Sequence, residues 1–190
     1  MNEKIGMNFA EKKIELKNGK EGILRAARQE DAEGLIAFLK TVFGETLFLS
    51  RNADEVSFTQ EEERKILQGM LDGEDEFMML VQVGDEIAGN CTVMSKGGHR
   101  RVKHRCGFAI VLKKKYWHLG LGGFMMEYAL ELAEKMGYEQ MELGVVEGND
   151  RAKALYERFG FEVTGKTPRA MKYDDGSYRD EYAMIKVFHH

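Results

Sequence analysis

The stretch CGFAIVLKKKYWHLGLGGFMMEYALELA, residues 106–133, decides the fold. Its first seven residues form an apolar run of strand length. Its last thirteen carry Leu121, Phe124, Met125, Tyr128, Ala129, Leu132 and Ala133 at alternating steps of three and four, with Glu127 and Glu131 on the opposite side. That periodicity predicts an amphipathic helix laid on a sheet. Between strand and helix lie Gly120, Gly122 and Gly123. Glycines here let the backbone approach a ligand closely, and the free N–H groups and positive dipole end of the helix favour an anion, most often phosphate. The same glycines equally suit close packing of helix against sheet. No Lys-Ser/Thr pair follows Gly120, which excludes a P-loop. Met125 stands where a dinucleotide fingerprint needs its third glycine, and seven residues separate Leu112 from Gly120, so that reading fails on spacing as well.

Working outward, Met141 to Val146 reads as a strand, and Asn149-Asp150 offers an N-cap for a short helix with Ala152, Leu155, Tyr156 and Phe159 inward. Gly160 falls where a left-handed C-terminal residue is wanted. Upstream, Gly22 to Ala27, Phe77 to Val83 and Ile87 to Met94 are strand-like, with Gly84-Asp85 as a tight hairpin turn between the last two. Two helices lie between the first of these and the second: one after Asp31, and one that opens on the capping box Thr59/Glu62 and ends at Gly73. The tail supplies Phe161 to Thr164 and Tyr182 to Phe188, joined through the turn Asp174-Asp175-Gly176. The expected order is β-α-α-β-β-β-α-β-α-β-β: a mixed α/β (α+β) sheet of about seven strands with about four helices on its faces.

A chain of 190 residues with one proline and no Pro/Gly/Ser-rich linker reads as a single domain, residues 1–190, with residues 1–20 an extension or edge strand and His189-His190 a tag remnant. A formal net charge of -4, from 28 Lys+Arg against 32 Asp+Glu, argues against wholesale binding to nucleic acid or a membrane surface. Cys91 and Cys106 lie in strand-like stretches without disulfide spacing, and there is no apolar run of signal-peptide or membrane-spanning character. A cytoplasmic location is the expectation. His99, His104 and Cys106 have no fourth ligand at a recognised spacing, so no metal is expected. The dense cations from Lys96 to Arg105 read as a solvated hairpin loop, or as an attractor for a phosphate.

The chain resembles the GNAT superfamily of acyl-CoA-dependent N-acetyltransferases, over about Gly22 to Val187 in the order of elements and specifically from Cys106 to Phe161. Members of that superfamily carry Q/R-x-x-G-x-G/A at the loop and N-x-x-A-x-x-L-Y-x-x-x-G-F on a later helix. The second signature is present as Asn149, Ala152, Leu155, Tyr156, Gly160 and Phe161; in the first, Trp117 occupies the Q/R position. The resemblance implies a mostly antiparallel sheet and acetyl-CoA as cosubstrate. The diphosphate of coenzyme A would lie on the amides of Leu119, Gly120, Leu121, Gly122, Gly123 and Phe124, beside Trp117 and His118. Its pantetheine arm would bond to Ile110 and Leu112 in a gap between two strands, with Asn149 and Ala152 alongside. Tyr156 would face the thioester sulfur as proton donor, and an amine would attack the acetyl carbon directly in a ternary complex.

Something must take the amine's proton, since an amine of pKa near 10.4 costs about 4.6 kcal/mol to hold neutral at pH 7. Where many relatives carry a glutamate, this sequence has Cys106, leaving Glu142, His104 and Glu86 as unranked candidates. The expected activity is acetyl transfer to a small amine or a protein amino group, with a homodimer as the expected partner arrangement. The alternative is a non-catalytic CoA-binding or ligand-sensing module.

Overall fold

The computed structural model describes residues 9–188, so the first eight residues and the His189-His190 pair lie outside the described part. Eight strands form one sheet: β1 (Lys12–Glu15), β2 (Glu21–Ala26), β3 (Phe77–Val83), β4 (Glu86–Ser95), β5 (Arg105–Leu112), β6 (Gln140–Val146), β7 (Glu162–Lys172) and β8 (Tyr178–Val187). Their order across the sheet is β1-β2-β3-β4-β5-β6-β8-β7, antiparallel throughout except for the parallel β5/β6 pair. Four helices flank it: α1 (Ala32–Glu45), α2 (Gln60–Asp72), α3 (Leu121–Lys135) and α4 (Asp150–Arg158).

The apolar stripe of α3, including Leu121, Met125, Met126, Ala129 and Ala133, packs on one face against Cys91, Val93, Cys106 and Met141. On the other face Leu35, Phe38 and Val42 of α1 and Leu67 of α2 close over Leu80. Strand β3, FMMLVQV, is covered on both faces, which is why it reads as a nearly unbroken apolar run rather than an alternation. Thr59 caps α2 as its spacing predicts: its hydroxyl accepts from Glu62 N and the Glu62 carboxylate accepts from Thr59 N.

The sheet has eight strands where about seven were expected. The eighth is β1, four residues inside the stretch 1–20 expected as an extension or edge strand, with only Ile14 turned inward between charged neighbours. The last two strands are also longer than their apolar content suggests. Strand β7 is exposed along nearly its whole length, so no burial pattern marks it. It tolerates Pro168 because it is the sheet's edge and its register shifts there, between Thr167 and Met171. At that irregularity Arg169 adopts φ 54°, and its N–H donates to the Asp180 carboxylate at 2.8 Å.

Strands β5 and β6 pair only over Arg105, Cys106 and Gly107 against Gln140, Met141 and Glu142. Beyond those residues β5 stays on β4 as far as Leu112, and β6 stays on β8 as far as Val146, so the two halves of the sheet part. The segment leaving β5 is pinned by one carboxylate. Glu86 accepts from Lys113 Nζ at 2.6 Å, Lys115 Nζ at 2.5 Å and the Tyr116 hydroxyl at 2.8 Å. Partial burial pushes the Glu86 carboxyl up, but these donors outweigh it and hold it at about 2. Gly89 is needed for a related reason: a Cβ there would lie 2.2 Å from Leu112 Cδ2 and 2.9 Å from the Val111 carbonyl oxygen.

Two outcomes are expected. Gly89→Ala destabilises the protein by about 1–3 kcal/mol, because a backbone oxygen must move, and urea denaturation will measure it. Because the folded pKa of Glu86 lies below its unfolded value, its contribution is fully present above about pH 4.3 and is lost as pH falls through about 2. Glu86→Gln therefore lowers stability at neutral pH and flattens the acid limb of denaturation midpoint against pH; an unchanged limb would show that the pin contributes nothing.

Candidate active site

Helix α3 begins immediately after Gly120, which takes the left-handed conformation (φ 91°) as its N-cap. His118 is also left-handed (φ 66°), a strained position for a residue with a side chain. The loop so shaped leaves the N–H groups of His118, Leu119, Gly120, Leu121 and Gly122 without a described partner. Those of Gly123 and Phe124 instead donate back to the Gly120 carbonyl, at 3.0 and 3.3 Å. Gly122 and Gly123 also serve packing: added Cβ atoms would meet Leu155 Cδ2 at 3.1 Å and Arg158 Nη2 at 3.2 Å, so α3 and α4 approach closely here.

Of these, His118 and Gly120 to Gly123 form one wall of a cavity of about 370 Å³. Asn149 caps α4 opposite them, its side chain accepting from Ala152 N at 3.4 Å, and Gly160 (φ 84°) ends that helix. From α4 the cavity receives Arg151, Ala152, Leu155, Tyr156 and Arg158, and from the β1–β2 turn it receives Lys17. With His118 these cations line the space, and among the described residues no Asp or Glu does. Tyr156 is 6% exposed, and no described group hydrogen-bonds its hydroxyl. Burial pushes its phenol up to about 12 against a smaller opposing effect of Arg151, so it stays protonated at neutral pH.

The third wall is β5. The Lys113 N–H donates to the Ala88 carbonyl and the Lys96 N–H to the Arg105 carbonyl, which fixes the alternation along the strand. Odd-numbered residues turn their backbone groups to β4, and Phe108, Ile110 and Leu112 turn theirs into the gap left by β6. The Leu112 carbonyl already accepts from the Trp117 indole N–H at 3.0 Å. The other face of Trp117's role is electrostatic: the Arg151 guanidinium carbon stands 3.3 Å from the ring centroid. Thr46, Phe48 and Leu49, from the segment after α1, and Val111 complete the lining on the α1 side.

Of the residues singled out in the sequence, Ile110, Leu112, Trp117, His118, Gly120 to Gly123, Asn149, Ala152 and Tyr156 share this cavity. Leu119 and Phe124 lie outside its lining, packed on the main core. Lys17, Phe48, Arg151 and Arg158 carried no functional signal in the sequence; the two arginines could have been found on the same helix as Tyr156, whereas nothing local marks Lys17 or Phe48.

The base candidates are not brought here. Glu86 is consumed by Lys113, Lys115 and Tyr116. Partial burial raises Glu142, but Arg105 and Lys96 hold its carboxyl below the usual range near the paired base of β5/β6. His104 lies in the β4–β5 connection, at the opposite end of β5 from the cavity, together with the cations from Lys96 to Arg105. Cys106 is fully buried with its Sγ on the Gln140 carbonyl; burial, reinforced by Glu142, pushes its thiol up to about 12. Among the described residues no cluster suited to a metal ion occurs, and no helix is long and apolar enough to cross a membrane.

Comparison with known proteins matches this architecture. The acetyltransferase of GNAT family from Streptococcus pneumoniae superposes with a TM-score of 0.84 at 32% identity, covering 88% of this chain and 99% of that one. The yncA protein of Salmonella typhimurium, solved with its cofactor acetyl-CoA, gives 0.75 at 16% identity over 87% of this chain and 93% of that one. L-amino acid N-acetyltransferase AaaT of Escherichia coli (strain K12) is 26% identical over 106 residues, 55% of this chain and 64% of its own length, so the match leaves about a third of that relative uncovered. The model of the acetyltransferase (GNAT) family matches residues 22–161, from β2 through the end of the α4 signature, and the chain belongs to that family.

Proposed function

We propose that the cavity binds acetyl-CoA and that the protein passes its acetyl group directly to a primary amine. One observation carries this reading: a single cavity holds four unpartnered main-chain donors, a cationic lining and the protonated, partnerless hydroxyl of Tyr156 beside an open strand edge. The donors at the start of α3, with Lys17 and Arg158, suit a diphosphate. The free backbone groups of Ile110 suit an extended amide-bearing arm added as a strand. The relative named an L-amino acid N-acetyltransferase supports a primary amine as acceptor.

In the reaction the amine nitrogen bonds to the thioester carbon and the C–S bond breaks, leaving a thiolate of pKa near 8.5. The Ile110 N–H turned into the gap polarises the carbonyl; a donor of this kind is worth about 2.7–4 kcal/mol. A Tyr156 phenol held at about 12 gives the departing sulfur a hydrogen bond. Complete transfer of its proton would be uphill by roughly 5 kcal/mol, so the thiol's proton comes finally from solvent. The ammonium loses its first proton before attack and its second after it, also to solvent. Orientation of amine against thioester can supply about 7 kcal/mol or more, so this site works without a strong internal base.

Thiol release from acetyl-CoA, followed across a panel of primary amines, tests the reading. CoA binding without amine-dependent release on any of them would favour a ligand-sensing module instead. Tyr156→Phe is expected to lower kcat about tenfold or more with the KM for acetyl-CoA nearly unchanged, and an unaltered kcat removes the hydroxyl from the mechanism. Lys17→Ala combined with Arg158→Ala should weaken CoA binding at least about tenfold in calorimetry; wild-type affinity would place the diphosphate elsewhere.

A further inference from the structure

The α1-facing side of the parted strands holds a second feature that the cofactor cavity does not use. Alternation puts Ala109 of β5, Gly144 of β6 and Ala183 of β8 on this face, and all three are exposed, giving a shallow trough with a floor of small residues. Helices α1 and α2 stop short of it, over the Leu80 side of the sheet. Gly144 lies two residues past Glu142, the last β6 residue paired with β5, and therefore beside the open gap. Across Gly144 lies the carboxylate of Glu181: a Cβ at residue 144 would stand 2.6 Å from its Oε1 and 2.7 Å from its Cδ.

Nothing described pairs with that carboxylate, although its neighbours are matched. Asp180 takes Lys166 and the Arg169 N–H, Glu147 takes Lys166, and Glu142 takes Arg105 and Lys96. Arg179, on the same face of β8, is turned onto the rings of Phe48 and Tyr173, at 5.2 and 5.3 Å. The same face carries a second polar group, Asn90, 8% exposed and directly opposite Val111, which lines the cofactor cavity.

We propose that Glu181 holds the ammonium group of the acceptor, and that residue 144 is glycine so that this carboxylate can lie across β6. The inference rests on the acetyl-transfer reading above and narrows the acceptor to an amine that is cationic in solution, approaching the gap from the trough. The two sides of the sheet then sort the substrates by charge. The cavity, lined by Lys17, Arg151 and Arg158 with no carboxylate, takes the polyanion, and the trough, with its one unmatched carboxylate, takes the cation.

The test uses n-butylamine, spermidine, L-lysine and a tripeptide with a free α-amino group as acceptors. Glu181→Gln should raise KM for the amines about tenfold to a hundredfold, leave the calorimetric affinity for CoA unchanged, and abolish the rise of amine KM with ionic strength shown by the wild type. Gly144→Ala, which removes no charge but puts a methyl where the carboxylate lies, should raise amine KM in the same direction. Both variants should melt near the wild type. An amine KM unaffected by Glu181→Gln, or a matching rise in the KM for acetyl-CoA, overturns the proposal. If the wild type binds CoA yet acetylates none of these amines, Glu181 loses this role while the cofactor site stands; if it binds no CoA, the transfer reading falls and this inference with it.

Discussion

The rest of the site depends on an interruption of backbone pairing in the middle of the sheet. After Gly107 and Glu142, β5 and β6 no longer share hydrogen bonds, yet neither strand frays, because β4 holds one and β8 holds the other through Leu112 and Val146. Two antiparallel halves thus keep open an edge that a parallel ladder would otherwise close. Unpaired N–H and C=O groups inside a protein are costly, so such an edge persists only where something satisfies part of it. Here the Trp117 indole takes the Leu112 carbonyl, and the backbone groups of Ile110 face the cavity. The helices that fill the angle, α3 and α4, bring their N-terminal ends to its mouth.

Charge follows the same geometry. Unpartnered donors and cations line the cavity with no carboxylate among them, and within it Tyr156 is buried enough to raise its pKa to about 12. These are opposite demands on solvent: a diphosphate keeps its charge best near water and fixed donors, whereas the acyl end gains from the exclusion of water. The Glu86 cluster serves both ends by holding the Lys113 to Tyr116 segment, so that the loop leaves β5 in one direction. A salt bridge at the surface stabilises little on its own, but one carboxylate taking three donors around a turn fixes a loop path.

Much of this was legible in the sequence, because helical periodicity and capping are local. The stripe from Leu121 to Ala133, the glycine at the start of α3, the Asn149 cap and the left-handed Gly160 all follow from residues within a turn or two of one another. What escaped depends on partners distant in the chain. Glu86 and Glu142 look like free carboxylates until the fold sets Lys113 and Arg105 against them. The glycine at 144 looks like a weak point in a strand until Glu181 of β8 is found over it. Strand β7 was shortened, and β1 left as an extension or edge strand, for another reason: edges of a sheet bury too little on either face to leave a pattern.

The departure at Trp117 shows how such distant placement can replace a local feature. The resemblance calls for a polar side chain at this position, and an indole offers one N–H, already donated to Leu112. The ring also gives Arg151 of α4 a surface on which to lie, 3.3 Å from its centroid, where part of the guanidinium's hydration is lost and burial lowers its pKa. A desolvated cation over an indole gains about 2 kcal/mol, enough to offset much of that loss. The positive charge therefore stands at the cavity beside residue 117 although the chain does not encode it there. Tryptophan at this site satisfies the last carbonyl of the strand edge and seats the arginine at once.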